Sequence, residues 1–180
     1  GKCRFIHLLR DGVAVARSIA RFENPAAWYG TKGETKWRCL SELFDAECPA
    51  LPDCKTPCAA LQGRFARGLA EWTLSTTAAR RGAEEAGLEI EGTDAAYLEL
   101  SYEALVASPG DKITQVVSFL GLPPSDEVQH AAAETLRPPR DEAPLKEGEL
   151  KALAKLGTWR GPLVESLLRE VSGRELPSSS

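Results

Sequence analysis

The stretch from Cys3 to Ile19, CRFIHLLRDGVAVARSI, constrains the fold more than any other part of the chain. The apolar run Phe5 to Leu9 has the length and composition of a buried strand. It ends in Arg10-Asp11-Gly12, and a helical pattern follows at once, with Val15, Ile19 and Phe22 spaced i, i+4, i+7 for one face. Asp11 suits the N-cap of that helix. A strand that feeds directly into a helix places the connecting loop at the carboxyl edge of a sheet, where open α/β folds bind ligands. A cation beside helix amides suits an anion. Arg10 closes the strand, and Ser18, seven residues past Asp11, returns to nearly the same helix face after a rise of roughly 10 Å. A guanidinium fork and a hydroxyl at that separation can bracket a phosphate.

The chain has 180 residues, 43% of them hydrophobic, enough to bury the core of one domain or of part of a larger one. A net charge of −4 argues against general nucleic-acid binding. No apolar run reaches the length of a membrane span. The chain opens with Gly-Lys-Cys, enters a strand within a few residues and contains no methionine. The expectation is therefore a segment of a longer domain.

Beyond Phe22, Glu23-Asn24-Pro25 stops the helix. Residues 24 to 38 lack a clear period, and Trp28, Tyr29 and Trp37 are read as aromatics covering the core from a loop. Cys39, Cys48, Cys54 and Cys58 mark a Cys/Pro-rich insertion at about 39–58. Their spacing, C-x8-C-x5-C-x3-C, lacks a zinc knuckle, and no metal site is assigned. Two disulfides suit an oxidising compartment and free thiols a reducing one. Cys3 is expected to be buried in the first strand. A long helix follows, from about Ala59 to Ala86, with Leu61, Phe65, Leu69, Trp72, Thr76 and Ala79 as its core stripe and Gly87 as its stop. A second strand ends at Ser101. An amphipathic helix then shows Ile113, Val116, Val117 and Leu120 on one face. Asp126 to Leu136 reads as a short helix with His130 at the surface. Residues 147–156 and 162–172 read as two more helices, and the tail 176–180 as frayed.

Three pieces together resemble the sulfotransferases that use 3′-phosphoadenosine 5′-phosphosulfate (PAPS). The first is Arg-Asp-Gly-x-x-x-x-x-Ser after an apolar strand, Arg10 to Ser18. The second is Ser101-Tyr102-Glu103-Ala104-Leu105-Val106, similar to the family's Tyr-Glu-Asp-Leu-Val sequence, with Ala104 in place of the usual Asp. The third is Phe119-Leu120-Gly121-Leu122-Pro123. The Arg-Asp-Gly form is especially similar to tyrosylprotein sulfotransferases and their bacterial relatives. The likeness covers most of the chain, residues 1–175, apart from the cysteine insertion.

The resemblance implies an α/β domain with a P-loop-like three-layer fold and a parallel sheet. This chain would be an incomplete, helix-rich, C-terminal portion lacking the N-terminal phosphate loop. It implies transfer of a sulfuryl group from PAPS to a hydroxyl or amine. The cofactor contacts would be Arg10 and Ser18 on the 3′-phosphate, Tyr102 in the nucleotide site, and Arg160 in a late phosphate-contacting loop at Thr158–Gly161. Arg137 and Arg140 are the alternative for that loop. The catalytic groups would lie upstream, so the chain alone would be inactive. The acceptor stays open among protein, carbohydrate and small molecule, with no nucleic acid among the partners, and a membrane would be met only through an upstream anchor. Disulfides would place the protein in the Golgi lumen, free thiols in the cytoplasm. A P-loop kinase-like phosphotransferase and a non-catalytic interaction domain derived from the same fold are the alternative readings.

Overall fold

The computed structural model describes residues 3–22, 35–47, 61, 63–88, 95–136 and 144–157. Its described elements are β1 (Phe5–Leu9), α1 (Gly12–Ala20), α2 (Thr35–Glu47), α3 (Arg64–Glu85), β2 (Tyr97–Ser101), α4 (Tyr102–Ala107), α5 (Pro109–Phe119), α6 (Asp126–Thr135) and α7 (Glu147–Gly157). The architecture is helix-rich α/β. The chain divides into two compact units, one of Gly1–Asp11 with Ala79–Glu142, the other of Gly12–Ala78 with Ala143–Ser180.

The first unit carries the sheet. β1 and β2 pair in parallel, with Phe5 opposite Tyr97, His7 opposite Glu99 and Leu9 opposite Ser101 on one face, and Ile6 opposite Leu98 and Leu8 opposite Leu100 on the other. Parallel partners need a long crossover, and residues 10–96 supply it. β1 was expected to be buried, but Phe5, Ile6 and Leu8 are 52%, 42% and 50% exposed. The strand has one hydrogen-bonded neighbour among the described residues, and its apolar side chains stand largely uncovered on both faces. Cys3, expected inside, is exposed for the same reason. On β2, Tyr97 and Leu100 are buried, and Leu105 of α4 joins them.

Ser101 turns the chain from β2 into α4. Its backbone is extended and its Oγ accepts a hydrogen bond from the Ala104 amide at 3.2 Å, a side-chain cap of the usual kind. Pro109 starts α5, where its missing N–H costs nothing. α5 ends at Gly121, which has φ +70°: the Gly121 amide donates to Ser118 O and the Leu122 amide to Val117 O. That is a Schellman cap, in which glycine takes the left-handed position. The sequence Phe119-Leu120-Gly121-Leu122 thus has a local reason of its own. The stripe expected to pack α5 is only half buried, and Leu120 and Leu122 are exposed. His130 is exposed on α6 beside Glu134, as a surface residue should be.

The second unit is a helical core. Val13, Ala16 and Ile19 of α1 are buried with Trp37 of α2, Leu61, Leu153 of α7, and Ala66, Leu69, Ala70, Trp72 and Leu74 of α3. Trp37 covers the core as expected, yet from a helix: residues 35–47 are α2, with Arg67 stacked over the Trp37 ring at 4.9 Å. Trp28 and Tyr29 lie outside the described residues. Of the predicted stripe, Leu69, Trp72 and Thr76 on α3 are buried, as is Leu61 ahead of the helix, while Phe65 and Ala79 are half-buried. Burial extends further round α3 to Glu71 and Thr73. Glu71 pairs with Lys36 of α2, and Thr73 Oγ1 donates to Leu69 O at 2.9 Å.

Two glycines let α1 and α3 approach closely. A Cβ on Gly68 would stand 2.9 Å from Ala16 Cα, and one on Gly12 would stand 2.9 Å from the Trp72 ring. Gly12 of the Arg-Asp-Gly sequence is therefore needed for packing. Alanine at position 68 gains about 1 kcal/mol of helix propensity, but it meets backbone, which cannot move aside cheaply, and overpacking costs roughly 1–3 kcal/mol. Gly68→Ala is expected to lower the urea midpoint. A rise equal to the propensity gain would contradict the close approach of the two helices.

Candidate functional site

Five polar residues at the carboxyl ends of β1 and β2, Arg10, Asp11, Ser101, Tyr102 and Glu103, meet within the first unit. The Leu9–Ser101 register brings Arg10, just past one strand, beside Tyr102, just past the other. The Arg10 guanidinium carbon lies 5.2 Å from the centroid of the Tyr102 ring, a cation–π distance. Both side chains are half-buried. Glu103 fastens the loop: its Oε1 accepts from the Asp11 amide at 2.9 Å, and its Oε2 accepts from Ser101 Oγ at 3.0 Å. One carboxylate thus binds the β1 end to the β2 end across 92 residues of sequence. The Asp11 amide, at the position read as the helix N-cap, is thus held by an internal carboxylate.

Ser18 lies on α1, in the second unit, and its side chain is exposed. Its neighbour Arg17 is buried. Arg17 donates from Nε to Glu149 Oε1 at 3.0 Å, and from Nη2 to Glu149 Oε2 at 2.7 Å and to Pro144 O at 3.1 Å. This bidentate pair ties α1 to the start of α7. Arg17 is thus a structural cation inside the motif, and its spacing alone does not separate it from a ligand-binding arginine. Arg160, Arg137 and Arg140 lie outside the described residues, as do Cys48, Cys54 and Cys58. Cys39 sits on α2 as an exposed free thiol. Helix α2 occupies the first half of what was read as an insertion loop. Among the described residues no group of His, Cys, Asp or Glu could hold a metal ion, and no helix is long and apolar enough to cross a membrane.

A second polar array lies on the face of the sheet. Arg80 of α3 donates to both oxygens of Glu99 at 2.8 and 2.7 Å. These hydrogen bonds outweigh partial burial and hold the Glu99 carboxyl below its ordinary value. Tyr97 shares an unusually close hydrogen bond, 2.5 Å, with His7 Nδ1. Burial, then the Glu99 charge, pushes the Tyr97 phenol above its ordinary value. Sequence reading passed over this array, although the alternation Tyr97, Glu99, Ser101 along a strand was its available signal.

Comparisons with protein-family models, with curated proteins and with solved structures found no match to this chain.

The Arg17–Glu149 pair generates a pH prediction. The Arg17 hydrogen bonds hold the Glu149 carboxyl below its ordinary value near 4.5, against an opposing burial effect. A depressed carboxyl contributes stability that is full above that ordinary value and is lost as pH falls through the folded one. Glu149→Gln, which strands a buried cation, is expected to cost about 3 kcal/mol at pH 7. It should lose less on further acidification than the parent chain. Urea midpoints at pH 7 and pH 3.5 check both; parallel losses for the two chains would assign the pair no role in acid stability.

Proposed function

We propose that this chain is part of a sulfotransferase that transfers a sulfuryl group from PAPS to a hydroxyl or amine acceptor. In this reading the chain holds the 3′-phosphate side of the cofactor, within a P-loop-like sheet to which further strands add. The observation that carries it is the parallel pairing that sets Arg10 against Tyr102 at the carboxyl edge, where ligands of open α/β sheets bind. Arg10 then supplies the cationic fork for the phosphate. The Tyr102 ring limits the rotamers of that fork and gives a flat surface to the nucleotide. The sequence motif adds Ser18 as a hydroxyl donor, and Arg160 as a late cationic contact. The uncovered Ile6 and Leu8 side chains favour a larger sheet, since parallel sheets are covered on both faces.

Sulfuryl transfer needs charge neutralisation on the moving group, a base for the acceptor proton and stabilisation of the leaving phosphate. Arg10 and Tyr102 bind and orient the cofactor; the base belongs to residues beyond this set. The chain by itself is therefore expected to bind without turning over. A non-catalytic interaction domain is the second reading, favoured by the exposed Phe5, Ile6, Leu8 and Leu122.

Titration calorimetry with adenosine 3′,5′-bisphosphate and adenosine 5′-monophosphate separates the two readings. The bisphosphate is expected to bind weakly but better than the monophosphate. Arg10→Ala should cost about tenfold or more, the worth of one charge-assisted contact, and abolish the preference. Equal affinity for the two nucleotides would sink the sulfotransferase reading and leave the interaction domain.

A further inference from the structure

A cavity of about 370 Å³ opens along the amino half of β1, entirely within the first unit and apart from the carboxyl edge. Its floor is the last turns of α3, where Gly82, Ala83 and Ala86 offer nothing larger than a methyl group. Phe5, Tyr97 and His7 stand around that floor. The lining is almost wholly carbon, with His7 and Tyr97 as its polar exceptions.

The hydrogen bond between Tyr97 and His7 defines what the cavity can recognise. A buried phenol O–H needs an acceptor, and the partner of the Tyr97 hydroxyl is His7 Nδ1 at 2.5 Å. We assign the Tyr97 hydroxyl as the donor and Nδ1 as the acceptor, an assignment that leaves the ring proton on Nε2. The nearby Glu99 oxygen is 3.6 Å from Nδ1, too long for a good hydrogen bond, and its charge is matched by Arg80. Under that assignment Nε2–H is the donor that His7, a lining residue, keeps for a ligand. A donor calls for an acceptor oxygen, and a carbon lining penalises a charged one. A wall of small residues beside aromatic rings leaves room for a planar ring that stacks in an offset manner. The volume lies near the lower end of the roughly 300–1,000 Å³ typical of ligand pockets, so the ligand is compact.

We propose that this cavity binds a compact, neutral aromatic compound with one carbonyl oxygen, its ring on the Gly82–Ala86 floor and its oxygen on His7 Nε2. The site shares none of the residues proposed to touch the nucleotide.

The probes are 2-acetonaphthone and 2-ethylnaphthalene, which has the same ring and lacks the oxygen. Both are titrated into the full chain and followed by ligand-observed NMR. The ketone is expected to bind saturably and roughly fivefold more tightly than the hydrocarbon, the worth of one net hydrogen bond. His7→Phe should bring the two together. Gly82→Leu fills the cavity, and because a Cβ at Gly82 meets nothing within 4 Å and leucine is the better helix former, that variant keeps its fold. It should weaken both probes at least tenfold while the Tm stays level or rises. The proposal is overturned by no saturable binding of either probe, by equal binding of both to the parent chain, or by binding that Gly82→Leu leaves unchanged.

Discussion

The pairing of β1 with β2 is the constraint on which the first unit depends. Five residues near the start of the chain meet five that lie 92 positions later, in register and in parallel. A slip by one residue would turn His7 and Leu9 to the opposite face and dissolve both polar arrays at once. The register is fixed from both sides. Buried Tyr97 and Leu100 pin β2, and Glu103 clasps the Asp11 amide where the strands end. Everything at the carboxyl edge follows, including the stacking of Arg10 on Tyr102. So does the His7–Tyr97 contact near the strands' beginning.

The second unit rests on a different physical basis. It has no described strand and packs helices through small residues. Gly68 and Ala16 let two helix backbones approach, and Trp72 lies against Gly12. The Arg17–Glu149 pair then closes α7 onto α1. A buried, bidentate ion pair contributes little net stability when intact but punishes the loss of either partner. Its role here is to specify which helix ends meet. The Arg-Asp-Gly-x-x-x-x-x-Ser sequence is therefore under structural demand at Gly12 and Arg17, whatever Arg10 and Ser18 bind.

Much of the local structure was legible. The apolar run Phe5–Leu9, the stripe from Leu61 through Thr76 and the glycine stop at Gly87 all declare themselves by period or by backbone need. The meeting of Arg10 and Tyr102 followed from two strand ends placed at one edge. Burial was less legible. Periodicity marks which face is apolar, and it is silent on whether anything covers that face, so β1 and the α5 stripe read as more deeply buried than they are. Helix α2 was hidden because Thr35, Trp37 and Cys39 are indifferent helix formers, and Cys39 drew attention to cross-links instead. The partners of charged residues were least legible. Arg80 with Glu99, and Arg17 with Glu149, join positions 19 and 132 apart, and no local rule pairs them.

Two parallel strand ends, a fact of the fold, are joined here to a chemical claim, that their edge holds a nucleotide phosphate. Amide chemical-shift mapping with adenosine 3′,5′-bisphosphate tests that join most directly. The largest shifts are expected on Arg10, Asp11, Tyr102 and Glu103, with Gly82, Ala83 and Leu88 unmoved. Shifts centred on the α3 end and His7, or no shifts at millimolar nucleotide, would contradict that claim.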